Sequence, residues 1–245
     1  MKALILAAGY ATRLYPLTKD YPKPLLEVNR RPIIDYIVDK LTQIEEIDEI
    51  VVVTNSKFVS LFKKWSRELK TNRRIVLVDD RTKGLSDRLG AIGDMNFAID
   101  KAKIASDLLV IGGDNLFGEG LEEFMSFAKK QKPSPVIGVY DIRHKPQARK
   151  YGVVALNRQN RIIDFQEKPK SPKSTMVAMC LYYFPRGKLK LIKEYLVSQS
   201  NGHDATGFYI NWLRRKVEVY GFIFKDKWYD IGDHKFYKEA ESKFF

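Results

Sequence analysis

Met1-Lys-Ala-Leu-Ile-Leu-Ala-Ala-Gly9-Tyr-Ala-Thr12-Arg13-Leu-Tyr-Pro16-Leu-Thr18-Lys-Asp-Tyr-Pro22-Lys23-Pro24-Leu25 opens the chain. The unbroken apolar run from Ala3 to Ala8 is the pattern of a strand buried on both faces, as in a covered parallel sheet. It breaks at Gly9 into small, hydroxylic and cationic residues. Small side chains let the main chain come close to a ligand, so the backbone amides from Ala8 to Thr12 are expected to line an anion, with Arg13 and Lys23 adding charge. Pro16, Pro22 and Pro24 stiffen the segment that presents Lys23.

Beyond this loop the apolar positions 33, 34, 37, 38, 41 and 44 have helical spacing, with Pro32 in the first turn. Residues 48–54 read as a buried strand, 56–69 as helix, 74–79 as strand, 87–100 as helix and 108–114 as a fourth buried strand. A helix over 122–130 and a strand over 135–142 follow. The order strand, helix, strand, helix predicts a parallel sheet covered on both faces, with ligands beyond the carboxyl ends of its strands. After residue 142 the texture changes. Three strand-like runs, 151–156, 161–166 and 176–184, are separated by turn residues and predict antiparallel pairing. Helices over 189–197 and 208–215, a strand over 217–224 and a helix over 234–242 complete the chain. The predicted fold is α/β, a Rossmann-like three-layer α/β/α arrangement with a mainly parallel central sheet and added antiparallel strands in the second half. One domain, 1–245, is expected, with 1–132 serving a nucleotide and 133–245 an acceptor.

The 245 residues are enough for a sizeable core, and 44% hydrophobic with 30% charged residues is a globular composition. No apolar run approaches the roughly 18 residues of a membrane span, and the opening run is too short for a signal peptide, so a cytoplasmic protein away from membranes is expected. The single cysteine, Cys180, excludes an internal disulfide and is expected to be buried and inert. A formal charge of +13 favours anionic partners. The basic runs Lys63-Lys64, Arg73-Arg74, Lys129-Lys130 and Arg214-Arg215-Lys216 lack interleaved aromatics and fall mostly at helix ends, so they read as solvated surface and no nucleic-acid partner is expected.

Asp114 ends the strand Leu108-Leu-Val-Ile-Gly-Gly, where a carboxylate has no apolar reason to be and is well placed to hold Mg²⁺ with substrate phosphates. Near the other end, Lys227-Trp-Tyr-Asp230-Ile-Gly-Asp233 offers two candidate partner acids, and residue patterning alone does not choose between Asp230 and Asp233. Glu167-Lys168 by itself reads as a surface ion pair. His144, His203 and His234 lack metal-ligand spacing, although His203-Asp204 precedes a helix that could border an acceptor pocket. Gly9-Tyr-Ala-Thr-Arg lacks the Gly-x-Gly-x-x-Gly spacing of a dinucleotide site, and no Gly-x-x-x-x-Gly-Lys-Ser/Thr is present.

The opening stretch resembles the signature of the sugar-phosphate nucleotidylyltransferases, roughly L-A-G-G-x-G-T-R-L-x-P-L-T followed by P-K-P-L. Here it reads L-A-A-G-Y-A-T-R-L-Y-P-L-T and Y-P-K-P-L, with Ala8 and Ala11 in place of glycines. Gly112-Gly-Asp-Asn115 is similar to the family's G-D-N, Tyr151-Gly152-Val to its Y-G-V, Glu167-Lys168-Pro169 to its E-K-P, and Trp228-Tyr-Asp230-Ile-Gly to its W-x-D-x-G. The resemblance implies nucleotide binding by Leu6, Ala7, Ala8, Gly9, Thr12, Arg13, Lys23 and Asp114, with Arg13 and Lys23 catalytic. It also implies acceptor binding by Tyr151, Gly152, Glu167 and Lys168, and Mg²⁺ on Asp114 and Asp230, leaving Asp233 to cap the last helix. Asp79 and Gly84 stand near the place where relatives carry a base-reading glutamine and a glycine-rich turn. The implied reaction joins a nucleoside triphosphate, a pyrimidine one by family prevalence, to a sugar 1-phosphate, releasing pyrophosphate. Relatives that act on phosphocholine or inositol phosphate, and an inactive regulatory protein that binds nucleotide sugars, are the alternatives. Many relatives are dimers or tetramers, which implies a homo-oligomer. Residues after Asp230 leave no room for the β-helical acyltransferase extension of some relatives, so a second activity is not expected.

Overall fold

The computed structural model describes residues 1–199 and 205–244, and His203 and Asp204 lie outside them. Strand β1 (Lys2–Leu6) runs into the opening loop, which a small hairpin of β2 (Glu27–Val28) and β3 (Arg31–Pro32) closes off before helix α1 (Ile33–Thr42). Then follow β4 (Glu49–Thr54), α2 (Val59–Glu68), β5 (Arg74–Asp79), α3 (Gly90–Lys101), β6 (Leu108–Gly112), β7 (Asn115–Phe117), α4 (Glu122–Lys130) and β8 (Val136–Asp141). The second half contains α5 (Lys145–Ala148), β9 (Gly152–Leu156), β10 (Ile162–Glu167), β11 (Met176–Phe184), α6 (Lys190–Ser198), α7 (Thr206–Lys216), β12 (Tyr220–Phe224), β13 (Trp228–Asp230) and α8 (His234–Lys243).

Strands β6, β1, β4 and β5 pair in parallel, with Ile5 opposite Val52 on one side and Ile111 on the other. Strand β11 joins β6, β8 and β9 antiparallel, β10 pairs antiparallel with β9, and β12 lies parallel to β8, so one nine-stranded sheet passes through both halves of the described residues. The apolar run of β1 explains its central place. Ala3 and Ile5 face a layer built by Ile34, Ile37 and Leu41 of α1, Phe62 and Trp65 of α2 and Phe124 of α4, whereas Leu4 faces Ile92 and Met95 of α3 with Ile192 of α6 and Ile210 of α7. Fully burying one such side chain is worth roughly 1.5–3 kcal/mol, which makes a continuous apolar strand stable only between two covering layers. The three-layer α/β/α arrangement is the one the sequence pattern predicts.

Local differences have identifiable causes. Helix α3 begins at Gly90 rather than at residue 87, because the Asp87 carboxylate accepts the Lys83 and Gly84 amides, both at 2.9 Å, and closes a turn ahead of the helix. Helix α2 begins at Val59 rather than at residue 56, after Asn55 Oδ1 accepts the Phe58 amide at 3.1 Å. Lys129-Lys130 and Arg214-Arg215-Lys216 close helices as expected, but Lys63-Lys64 lies within α2. Among the described residues, no helix is long and apolar enough to cross a membrane.

Candidate active site

The backbone of the opening loop is anchored by β4 and by two side chains. The Ala7 amide bonds Val53 O at 2.9 Å, Asn55 Nδ2 donates to Ala8 O at 2.9 Å, and Thr18 Oγ1 donates to Ala11 O at 2.7 Å. Ala11 sits in the left-handed region at φ 47°. Alanine therefore keeps the backbone conformation that glycine favours at this position, at some conformational cost. Among the described residues, the amides of Ala8 through Ala11 donate no hydrogen bond within the chain, which leaves four donors for an anion.

Facing this loop, Asp114 lies just past β6. Lys23 Nζ donates to its Oδ2 at 2.5 Å and Asn115 Nδ2 to its Oδ1 at 2.9 Å, while Trp228 Nε1 donates to Asn115 Oδ1 at 2.8 Å. The short ladder of β7 with β13 pairs Asp230 with Asn115, and the Ile231 amide bonds Asp114 O at 3.1 Å, so Asp230 is brought alongside Asp114 from more than a hundred residues away in sequence. Burial would raise Asp114, but the charge and hydrogen bond of Lys23 hold it below the usual carboxylate range. Burial and the charge of Asp114 push Asp230 up to about 6, against the pull of Lys23, Arg13 and Lys168. Asp233, the other candidate, accepts the Lys235 and Phe236 amides at 3.1 Å each as the cap of α8, and binds Lys150 at 3.1 Å.

Two cavities meet here. One of about 630 Å³ is lined by Leu6, Ala7, Ala8, Gly9, Thr12, Arg13, Lys23 and Asp114, with Arg88, Gly90 and Asp94 opposite. The other, about 300 Å³, is lined by Tyr151, Gly152, Glu167, Lys168, Asp114 and Asp230, with Tyr182, Thr206 and Gly207. Arg13, Asp114, Lys168 and Cys180 belong to both walls. Glu167, only 8% exposed in its side chain, is raised by burial against the opposing charge of Lys168, whose Nζ is 3.6 Å away. Lys168 itself takes φ 44°, with its amide on Tyr151 O at 3.0 Å. A side chain on Gly207 would put a Cβ 1.8 Å from Glu167 Oε2, so this carboxylate rests directly against the start of α7.

The structure brings most of the expected site residues together on these two walls and leaves two of them off. Asp79 and Gly84 are not among the residues lining the larger cavity. The Asp79 carboxylate turns to Ser56 Oγ at 2.9 Å and to the Arg81 amide at 2.8 Å, while the turn closed by Asp87 takes up Gly84. Further along the same segment, Gly90, at φ 76°, is on the cavity wall. Cys180 is half-buried rather than buried; it faces both cavities, and burial together with Asp114 pushes its thiol up to about 12. Asp94, Arg88, Lys150, Tyr182, Thr206 and Gly207 line these walls without any motif in the sequence to mark them.

A loop of open amides beside cations and a pair of acids, at the carboxyl ends of a parallel sheet and with room for two ligands, is the build of a nucleotide-handling α/β enzyme. The chain belongs to the nucleotidyl transferase family, whose model matches residues 2–244. It is 29% identical over 235 residues to the bifunctional protein GlmU of Methanocaldococcus jannaschii, covering 95% of this chain and 51% of that protein. The chain thus spans about half the length of that relative. It is also 29% identical over 245 residues to the UTP–glucose-1-phosphate uridylyltransferase AglF of Haloferax volcanii, covering 99% of this chain and 96% of that one. A solved UDP-glucose pyrophosphorylase complexed with UDP-glucose shares the fold, with a TM-score of 0.83 at 21% identity, covering 99% of this chain and 97% of that one. So does a glucose-1-phosphate thymidylyltransferase from Bacillus anthracis, with a TM-score of 0.78 at 24% identity over 99% and 94%.

Proposed function

We propose that this chain transfers a nucleotidyl group from a nucleoside triphosphate, a pyrimidine one, to a sugar 1-phosphate in the cytoplasm, giving a nucleotide sugar and pyrophosphate. The observation that carries this reading is the shared wall of the two cavities. Arg13, Asp114 and Lys168 line both, so two phosphate-bearing ligands would present their phosphates to the same three side chains. The first half of the chain supplies most of the larger cavity and takes the nucleotide; the second half supplies most of the smaller one and takes the acceptor.

In this reaction an acceptor phosphate oxygen forms a bond to the α-phosphorus while the bond to the β-phosphate oxygen breaks, and the electron pair leaves with pyrophosphate. A phosphate monoester has its second pKa near 6, so its oxygen is a nucleophile at neutral pH and no side chain need remove a proton. The obstacle is charge, since two polyanions must approach. Lys23 steadies the α-phosphate, Arg13 the departing phosphates and Lys168 the acceptor phosphate, while the loop amides hold the triphosphate in line. Glu167, against Gly152 and Gly207, accepts hydroxyls of the sugar. Asp114 and Asp230 would hold Mg²⁺. Two buried carboxylates that repel one another give an all-oxygen donor set, and among the described residues no third acid, histidine or cysteine joins them, which suits an ion that draws its remaining ligands from phosphates and water. When bound, that ion neutralises phosphate charge and orients the groups that react.

The test is pyrophosphate release with Mg²⁺ across the common nucleoside triphosphates and dTTP, each against hexose 1-phosphates, inositol phosphate and phosphocholine. Turnover with one nucleotide and a hexose 1-phosphate is the expected result. Turnover only with phosphocholine or inositol phosphate would overturn the sugar assignment. Absence of turnover in a folded protein that binds nucleotide would overturn the enzymatic one.

A further inference from the structure

A third cavity, of about 460 Å³, lies among α5, β13 and α8. It adjoins the acceptor cavity through Lys150, Tyr151, Trp228, Asp230 and Phe236, which line both. None of these lines the nucleotide cavity, which meets the acceptor cavity instead through Arg13, Ala91, Asp114, Lys168 and Cys180. The nucleotide cavity and the third one have no lining residue in common, so the three spaces stand in a row with the acceptor in the middle. An acceptor whose phosphate is held by Arg13 and Lys168 has its other side towards the third cavity.

The walls of this third space are aromatic and its cations are exposed. The Tyr140 and Tyr151 rings pack against Trp228, with centroids 5.6 and 5.4 Å away, and Phe236 adds a ring from α8. Lys150, Lys227 and Lys235 line the same cavity, each of them exposed. Its two acids are already engaged in other roles: Asp230 belongs to the proposed metal pair, and Glu239 binds Lys243 at 3.3 Å. Lys235 has no acid partner among the described residues. Lys150, whose side chain is 51% exposed, binds Asp233 at 3.1 Å and lies 4.9 Å from the centre of the Phe236 ring. A pair this exposed contributes little to stability, so Lys150 can turn to an incoming anion at small cost. Rings below and ammonium groups around them suit a sugar ring that carries a negative substituent.

We propose that the third cavity extends the acceptor site and takes an anionic group on the side of the acceptor away from its 1-phosphate. The preferred acceptor is then a sugar 1-phosphate with a second negative group, a carboxylate or a further phosphate. This rests on the transfer to a sugar 1-phosphate of the preceding reading. A neutral hexose 1-phosphate gives Lys227 and Lys235 nothing to bind, because its one charged group sits at the opposite end of the row. A second anion meets ammonium donors there, and hydrogen bonds between two charged groups are of the stronger kind.

The experiment compares glucose 1-phosphate, glucuronic acid 1-phosphate and glucose 1,6-bisphosphate as acceptors for the full chain, with Mg²⁺ and the best nucleoside triphosphate at fixed ionic strength. Pyrophosphate release gives kcat/KM for each, and calorimetric titration gives its binding. One of the two doubly anionic acceptors is expected to exceed glucose 1-phosphate in kcat/KM by at least about tenfold, the scale of one charged hydrogen bond, and the one that leads tells carboxylate from phosphate. Lys235→Ala is expected to cut this preference about threefold, and the charge reversal Lys235→Glu to remove most of it. Lys63→Glu, on the surface of α2, controls for the charge of the whole protein and should leave the preference intact. Equal or better use of glucose 1-phosphate by the native protein, an unchanged preference in Lys235→Glu, or the same loss in Lys63→Glu would each overturn the proposal and leave the transfer reading in place. Selective binding of a doubly anionic acceptor with no pyrophosphate release would sink the transfer reaction and support the extended site, and failure to bind any of the three would overturn both.

Discussion

Gly207→Ala tests the division of labour between the two cavities with a single methyl group. The added Cβ would fall 1.8 Å from Glu167 Oε2 and 2.8 Å from its carboxyl carbon. An ordinary contact needs more than about 3 Å, so the carboxylate must withdraw by over an ångström into a site where its side chain is 8% exposed. Overpacking of this kind costs roughly 1–3 kcal/mol, and an ångström of misplacement at a binding group lowers reaction rates by up to about a hundredfold. Alanine offsets part of the loss of stability, because it favours a helix over glycine by about 1 kcal/mol. The expected outcome is a kcat/KM for the acceptor reduced about 10- to 100-fold, with nucleotide affinity unchanged within a factor of about two. Initial rates of pyrophosphate release at varied acceptor concentration, beside calorimetric nucleotide titrations, measure both. Unaltered acceptor kinetics would refute the placement of Glu167 as an acceptor contact. An equal loss in nucleotide binding would refute the separation of the two cavities.

Lys23→Ala removes the partner of Asp114 and the cation proposed for the α-phosphate, and turnover should fall about a hundredfold or more, the effect of losing about 3 kcal/mol of transition-state stabilisation; near-native kcat would show that the lysine serves structure alone. Chelation of divalent cations should abolish pyrophosphate release and added Mg²⁺ should restore it, whereas activity that survives exhaustive chelation would remove the metal role of Asp114 and Asp230. Asp107 bonds the Tyr183 hydroxyl at 2.6 Å, the Arg186 amide at 2.8 Å and Lys132 at 2.6 Å. Burial works against its ionisation, but these partners hold its carboxyl below the usual range, so its contribution is complete above the unfolded value near 3.9 and is lost as pH falls through the lower folded one. Asp107→Asn should therefore destabilise by about 1–3 kcal/mol at pH 7 in urea unfolding, and the deficit should shrink below pH about 4; a deficit that is flat with pH would count against the charge-based account.

The parts of this fold that could be read in advance are those where one residue's chemistry fixes its environment. The run Ala3 to Ala8 demands cover on both sides and is found between two helical layers. Asp114, at the end of a strand with no apolar reason to be there, is found facing Lys23. What escaped notice depends on partners far away in the chain. Strands β7 and β13 are three residues each, too short for any periodicity, and exist because each supplies the other's hydrogen bonds. Asp79 and Asp94 are the same residue type in the same region. Only the direction of each side chain, one turned back to Ser56 and the other turned inward on α3, separates a structural acid from one on the cavity wall. Thr206 and Gly207 enter the site because α7 starts there, with Tyr182 donating to Thr206 at 2.6 Å.

The relay from Trp228 through Asn115 and Asp114 to Lys23 joins the first loop to the last strand. In time rather than in space, this means that a nascent chain lacks a working centre until residue 230 has left the ribosome. The parallel strands β1, β4 and β5 can pair long before that, so the scaffold matures first and the acids meet last. A partly made chain would thus hold its cationic loop over a lone Asp114, able to attract phosphates but without the second carboxylate beside it.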